Sequence, residues 1–201
     1  DLAYSPRSDE FAWVKAVLAA DAAGDADLAA AQAALRAWDG RTDFHNRGAA
    51  LVAVMWLQRR GHANWTPLQM VRAAIPLLKA GYGRVDPEWA QINRLRRGGL
   101  DIPVDGGPDT FRALYGAPDP DGRLKGVNGD CYIMFVDWDA GGHMTARSIH
   151  QFGSATLDAA SPHYADQSPL FAAHQTKPVW FTEAQLKGHV ERAYRPGDVG
   201  R

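Results

Sequence analysis
The feature that most constrains this chain is a change of period at Gly81. Before it, apolar residues recur at helical spacing in a stretch rich in alanine, the strongest helix former. After it, proline, glycine and aspartate become frequent and the helical period is lost. A chain with that break reads as α+β, mainly helical over 1–85, with loops, a hairpin and antiparallel strands over 86–201.

The first half predicts four helices. Ser8 is an N-cap candidate, followed by Phe11, Val14, Val17 and Leu18 at helical spacing, with Gly24 as the stop. Asp25 or Asp27 caps the next helix, whose stripe is Leu28, Ala31, Leu35 and Trp38, and Gly40 suits its left-handed end. Residues 48–60 are apolar on nearly every face (Leu51, Val52, Val54, Met55, Trp56, Leu57), which places them deep in a core. Thr66 and Pro67 open a fourth helix that Pro76 kinks and Gly81 ends.

The second half reads in short pieces. Residues 98–109 are expected as a loop, 110–115 as a short strand and 119–122 as a turn. Residues 131–138 carry the strongest strand signal. Tyr132, Met134, Val136 and Trp138 line one face, and Cys131, Ile133 and Phe135 the other, so cover is expected on both sides. Asp139-Ala140-Gly141-Gly142 turns this strand into 143–152. A short helix is expected from Ser161-Pro162 to about His174, then a strand at 177–181. A capping box at Thr182 and Gln185 and an edge strand at 190–194 complete the reading.

Composition excludes several functions. Twenty-two Lys+Arg against 23 Asp+Glu leave a net charge of -1, so no global field draws the chain to nucleic acid or an anionic membrane. The lone Cys131 rules out an internal disulfide framework and a multi-cysteine zinc site, and its apolar strand predicts a buried, inert thiol. The longest apolar run, 48–57, is about half the roughly 20 residues of a membrane span. The chain begins with Asp1 and no signal sequence, which leads us to expect a mature or excised chain.

Spacing alone yields no active site. Ser161, His163 and Asp166 lie within one turn, whereas the members of a hydrolytic triad come from separated elements; a cap explains the serine better. His143, His150, Asp137 and Asp139 surround one hairpin, and a solvated tip accounts for them better than a metal. The Gly98-Gly99, Gly106-Gly107 and Gly141-Gly142 pairs lack phosphate-loop spacing. Arg94, Arg96 and Arg97 read as an ion-pairing or backbone-binding cluster, and the seven tryptophans as core.

Ordered phrases carry the reading further. They are LRAWDG (35–40), WAQINRLRRG (89–98), GGPDT (106–110), GDCYIMFV (129–136), Ala146-Arg147-Ser148, QFGS (151–154), SPHYADQ (161–167), KPVWFT (177–182) and RAYRPG (192–197). This series resembles the C-terminal part of the β chain in the penicillin acylase family of N-terminal nucleophile hydrolases. Within that family it is closer to acyl-homoserine-lactone and aculeacin-type acylases than to penicillin G acylase.

The resemblance implies a partial αββα fold, a periplasmic enzyme without a cofactor, and hydrolysis of N-acyl amides. In the family a serine at the start of the β chain attacks, its own α-amine acting as base, and an oxyanion hole holds the developing charge. Asp1 cannot play that part, and no position here matches the family's nucleophile, oxyanion-hole asparagine or catalytic arginine. No catalytic, substrate-binding or metal residue is therefore assigned. The expectation is a C-terminal fragment, residues 1–201, of an acylase β subunit. Its partners would be the remaining acylase segments, the α chain and the N-terminal part of the β chain, or further copies of itself. The rival is a standalone binding or scaffold domain that has lost catalysis; the fragment, unlike the rival, is expected to leave an apolar sheet face at 131–138 uncovered.

Overall fold
Side-chain caps set the helix starts. We describe a computed structural model covering residues 8–190 together with Ala193 and Arg195. Four helices come first: α1 (Ser8–Leu18), α2 (Ala26–Ala37), α3 (Gly48–Gly61) and α4 (Pro67–Tyr82). Asp25 opens α2 by accepting the Leu28 N–H at 2.9 Å. Asn46 does the same for α3 through Ala49, at 3.0 Å. Thr66 and Gln69 form a capping box ahead of α4, with Pro67 in its first turn. Gln32 of α2, buried, donates to the Val17 and Ala20 carbonyls and so satisfies the end of α1.

The helices pack on α3, whose first nine residues, 48–56, are all buried, as their apolar character requires. Gly48 is obligatory there: a Cβ would stand 2.3 Å from Cβ of Trp38. Helix boundaries depart from the sequence expectation at three places. α1 ends at Leu18, well before Gly24. α2 ends at Ala37, with Trp38 already extended, although Gly40 does take a left-handed φ of 80°. α4 runs through Gly81, and Gly83, at φ 69°, supplies the left-handed cap. Pro76 sits inside a continuous helix. The Ser8 side chain lies outside the described residues.

Helix α5 (Trp89–Ile92) leads into a four-stranded sheet of order β2-β1-β4-β3. Its strands are β1 (Asn93–Arg97), β2 (Leu100–Pro103), β3 (Leu114–Pro118) and β4 (Leu124–Gly129). Pairing is antiparallel except between β1 and β4, which run parallel. The expected loop at 98–109 is thus corrected, since Leu100–Pro103 pairs back onto β1 through a turn at Gly98, φ 60°. The strand expected at 110–115 begins only at Leu114, because the Thr110 hydroxyl holds a local turn on Gly107 and Arg112. Strands β1 and β4 carry no strand signal in the sequence for a common reason: arginines, lysine, asparagine and glycines mask their alternation.

The second sheet has order β5-β6-β7: β5 (Tyr132–Trp138), β6 (Met144–His150) and β7 (Lys177–Val179). The expected hairpin forms, in register from Tyr132↔His150 to Trp138↔Met144. Asp139 Oδ1 holds its turn by accepting the Gly141 and His143 N–H groups, each at 2.9 Å. Helix α6 (Ser168–Ala172) starts seven residues later than expected, because 161–167 forms turns instead. Helix α7 (Glu183–Leu186) has the expected Thr182–Gln185 capping box. The strand expected at 190–194 falls largely outside the described residues.

The burial expected of Cys131 is corrected, and β5 presents the uncovered apolar face expected of it. Its large side chains are open rather than covered: Tyr132 is 58% exposed, Met134 47%, Phe135 50% and Trp138 65%. Cys131 is exposed too, its Sγ 3.3 Å from the Gly129 carbonyl. The cause is topological. Sheet neighbours cover a strand's edges and not its faces, and among the described residues β6 is the one element that packs extensively on β5. Core packing accounts for Trp89 and for all but an exposed edge of Trp56, whereas Trp138 and Trp180 are exposed. A second small core, Leu95, Val104, Leu114, Ile149 and Phe171, joins the two sheets through α6.

Candidate functional site
The three arginines of β1 behave as an ion-pairing and backbone-binding cluster. Arg94 reaches Asp101 at 2.7 Å and the Ala90 carbonyl at 2.9 Å. Arg96 bridges Asp119 at 2.8 Å, Asp101 at 2.9 Å and Asp121 at 2.5 Å. Those hydrogen bonds hold the Asp101 and Asp121 carboxyls below the usual carboxylate range, against a smaller opposing effect of burial.

Arg97 turns the other way. Its guanidinium lies 4.6 Å from the Phe152 ring centre and 4.1 Å from that of Tyr164. It also donates to the Tyr164 carbonyl at 3.0 Å and to the Thr156 carbonyl. One side chain of β1 therefore pins the loop that contains both QFGS and SPHYADQ. Gly153 completes the fit, since a Cβ there would stand 2.0 Å from the His163 carbonyl oxygen.

Within that loop the structure brings His163 and Asp166 together, Nδ1 to Oδ2 at 2.8 Å. The Ser161 hydroxyl accepts the His163 backbone N–H at 3.1 Å, which is the local turn chemistry of a cap. His150 accepts the Phe152 N–H on Nδ1 at 3.1 Å. Burial, then the nearby Arg97 charge, push its pKa down, favouring the neutral ring. His143 and His150 flank opposite ends of β6, with His143 3.9 Å from Asp139 and Asp137 3.7 Å from Arg147. Among the described residues no group of three or more His, Cys, Asp or Glu side chains converges as a metal would require.

A polar centre that spacing did not reveal sits beside β5. Asp105, 2% exposed, binds Arg112 Nε at 2.8 Å and His174 Nε2 at 2.6 Å. Arg112 also donates to the Phe171 carbonyl at 2.7 Å and covers the Phe171 ring at 4.3 Å. Asp105 and Arg112 lie seven residues apart, and the fold brings His174 to them from 69 residues beyond Asp105. Arg112 and His174 line one end of a groove of about 550 Å³ whose apolar walls include Tyr132, Met134, Phe135 and Phe171, with Asp105 buried behind them. Asp130, also in the groove, has its carboxyl pKa raised by burial, offset in part by Arg112.

These features define an α+β chain whose buried charges anchor loops and whose second sheet leaves an apolar strand open. The penicillin amidase family model matches residues 2–188, and the chain belongs to that family. Among curated relatives, the acyl-homoserine lactone acylase PvdQ of Pseudomonas fluorescens Pf-5 is 35% identical over 121 residues, 59% of this chain and 15% of that protein. The PvdQ of P. fluorescens Pf0-1 is 27% identical over 194 residues, 81% of this chain and 25% of that protein. The chain thus spans at most about a quarter of these relatives' length. A solved structure, a thermostable penicillin G acylase from Alcaligenes faecalis, aligns over 96% of this chain and 47% of its own, at 14% identity and a TM-score of 0.36.

Proposed function
We propose that this chain is the C-terminal portion of a periplasmic amidohydrolase that cleaves the amide bond of N-acyl substrates, acyl-homoserine lactones foremost. Penicillin-like and lipopeptide amides are the further candidates. The nucleophile, an N-terminal serine acting with its own amine as base, belongs to a segment outside residues 1–201. This chain supplies scaffold: a helical layer, and a sheet that docks on the remaining acylase segments.

The observation that carries the reading is the openness of β5, with Tyr132, Met134 and Trp138 on one face and Phe135 on the other all about half exposed or more. Contiguous apolar surface of that kind marks a surface awaiting cover. Full burial of such side chains is worth about 1.5–3 kcal/mol each, enough together for stable association. The family membership and the small share of each relative that the chain spans support the same reading.

The test is complementation. The purified chain is expected to hydrolyse no N-acyl-homoserine lactone. Co-expression with the remaining segments of its acylase should give an active complex, and Trp138→Lys in β5 should weaken it. Hydrolysis by the chain alone, or full activity of the other segments without it, would refute the proposal. A strictly monomeric chain that neither complements nor associates would favour the standalone scaffold.

A further inference from the structure
A second concavity lies between α1, the C-terminal end of α3, and the β3–β4 pair. It has a volume of about 660 Å³ and is lined by Trp13, Trp56, Arg59, Arg60, Asp109, Tyr115 and Asn128. Asp109 organises one wall: its Oδ2 accepts the Trp56 indole N–H at 2.7 Å, and its Oδ1 the Tyr115 hydroxyl at 3.0 Å. One carboxylate thereby fixes two aromatic rings, whose centres lie 5.4 Å apart with planes tilted by 45°. Asp109 adopts a φ of 54°, a left-handed conformation that aspartate tolerates better than most residues. The rings form a corner that exists before any ligand arrives.

Two cations face this corner. The Arg60 guanidinium lies 5.2 Å from the Trp56 ring centre. Neither Arg59 nor Arg60 has a carboxylate partner among the described residues, unlike the arginines of β1. The local charges are two guanidiniums against one carboxylate that the indole and phenol already engage. The balance suits one added negative charge. The aromatic walls suit a flat apolar body, and the volume lies within the range of small-molecule sites.

We propose that this pocket binds a small aromatic carboxylate, its ring system against Trp56 and Tyr115 and its carboxylate on Arg59 and Arg60. The site is independent of the amide-cleaving role proposed above, because none of its lining residues belongs to β5 or its groove.

The experiment is calorimetric titration of the chain with naphthalene-2-carboxylate and with the neutral naphthalene-2-methanol. Sub-millimolar binding of the acid is expected, with the alcohol weaker by about tenfold, as loss of charge-assisted hydrogen bonds implies. The Arg59→Gln/Arg60→Gln double variant should lose the same factor while keeping a native circular dichroism spectrum. Asp109→Asn, which removes the opposing charge, should bind the acid more tightly. Equal affinity for acid and alcohol, or unchanged binding by the folded double variant, would overturn the proposal. So would binding to this chain that vanishes in the longer acylase, which would assign the pocket to a chain segment instead. Complementation can fail without affecting this outcome, and the reverse holds as well.

Discussion

Replacing Arg97 by alanine tests whether one side chain holds the loop of residues 152–167. The native contacts are two ring faces, at 4.6 and 4.1 Å, and two carbonyl oxygens, those of Tyr164 and Thr156. Each ring contact is worth about 0.5–1 kcal/mol at a half-exposed site, and each hydrogen bond from a charged donor about 1.5 kcal/mol at the low end. The plain sum is about 4–5 kcal/mol. Water can reach the released carbonyls and the contacts share one side chain, so the net loss should be about 2–3 kcal/mol. For a chain of 201 residues this lowers the melting temperature by roughly 5–7 °C. Thermal denaturation followed by circular dichroism measures it, and limited proteolysis should show faster cleavage within 153–166. Arg97→Lys keeps the charge but loses the planar fork, so it should restore less than half of the loss. A melting point unchanged within about 1 °C, or full rescue by lysine, would refute the reasoning, because either would mean that the stacked, forked geometry contributes nothing.

Gly153→Ala should be more severe than its size suggests, because the new Cβ would meet the His163 carbonyl at 2.0 Å and backbone must move. We expect a loss of about 3 kcal/mol or failure to accumulate soluble protein, whereas Gly61→Ala, with open space around it, should be neutral or stabilising. Cys131 should label with a thiol reagent at rates within about threefold in native buffer and in denaturant; strong native protection would show that something covers the start of β5. The Asp101 and Asp121 carboxyls are held down by Arg96, so the stability they contribute is present above their unfolded pKa of about 4 and is lost as pH falls through the lower folded values. Arg96→Gln should therefore flatten the stability profile below about pH 4, and an unchanged acid limb would count against the network. Asp130 has the opposite sign: burial raises its pKa, so ionisation costs stability as pH rises above about 4, and Asp130→Asn should raise the melting temperature at pH 7 but not at pH 3.

Much of the helical half was legible because its signals are local. Thr66, Gln69 and Pro67 announce a helix start within four residues, and the apolar run of 48–56 can only be core. Boundaries failed where glycine was read as a stop without its conformation. Gly81 is helical and Gly83 left-handed, although the two share a sequence neighbourhood. In the second half, β1 was hidden because Arg94, Arg96 and Arg97 read as charged surface. Their side chains bind carboxylates and carbonyls alongside the strand, and only Asn93 and Leu95 are buried. The Asp105–Arg112–His174 centre left no local trace, since His174 arrives from the segment between α6 and β7.

The open face of β5 is the informative feature. Alternating apolar residues on both faces predict that a strand is made to be covered, and the inference about the side chains was sound. Where the cover comes from is a separate question, which pattern alone does not answer. The helical core closes on itself around Leu51 and Met55, both fully buried, and the small core at Leu95 and Phe171 uses the other sheet and α6. Neither reserves a surface for Tyr132, Met134 or Trp138. Cys131, at the mouth of the same strand, is open for the same reason. A strand built for burial and left open at a sheet edge is a site for association. That is why the reading of this chain as a scaffold segment of an acylase rests on β5 and not on its histidines or serines.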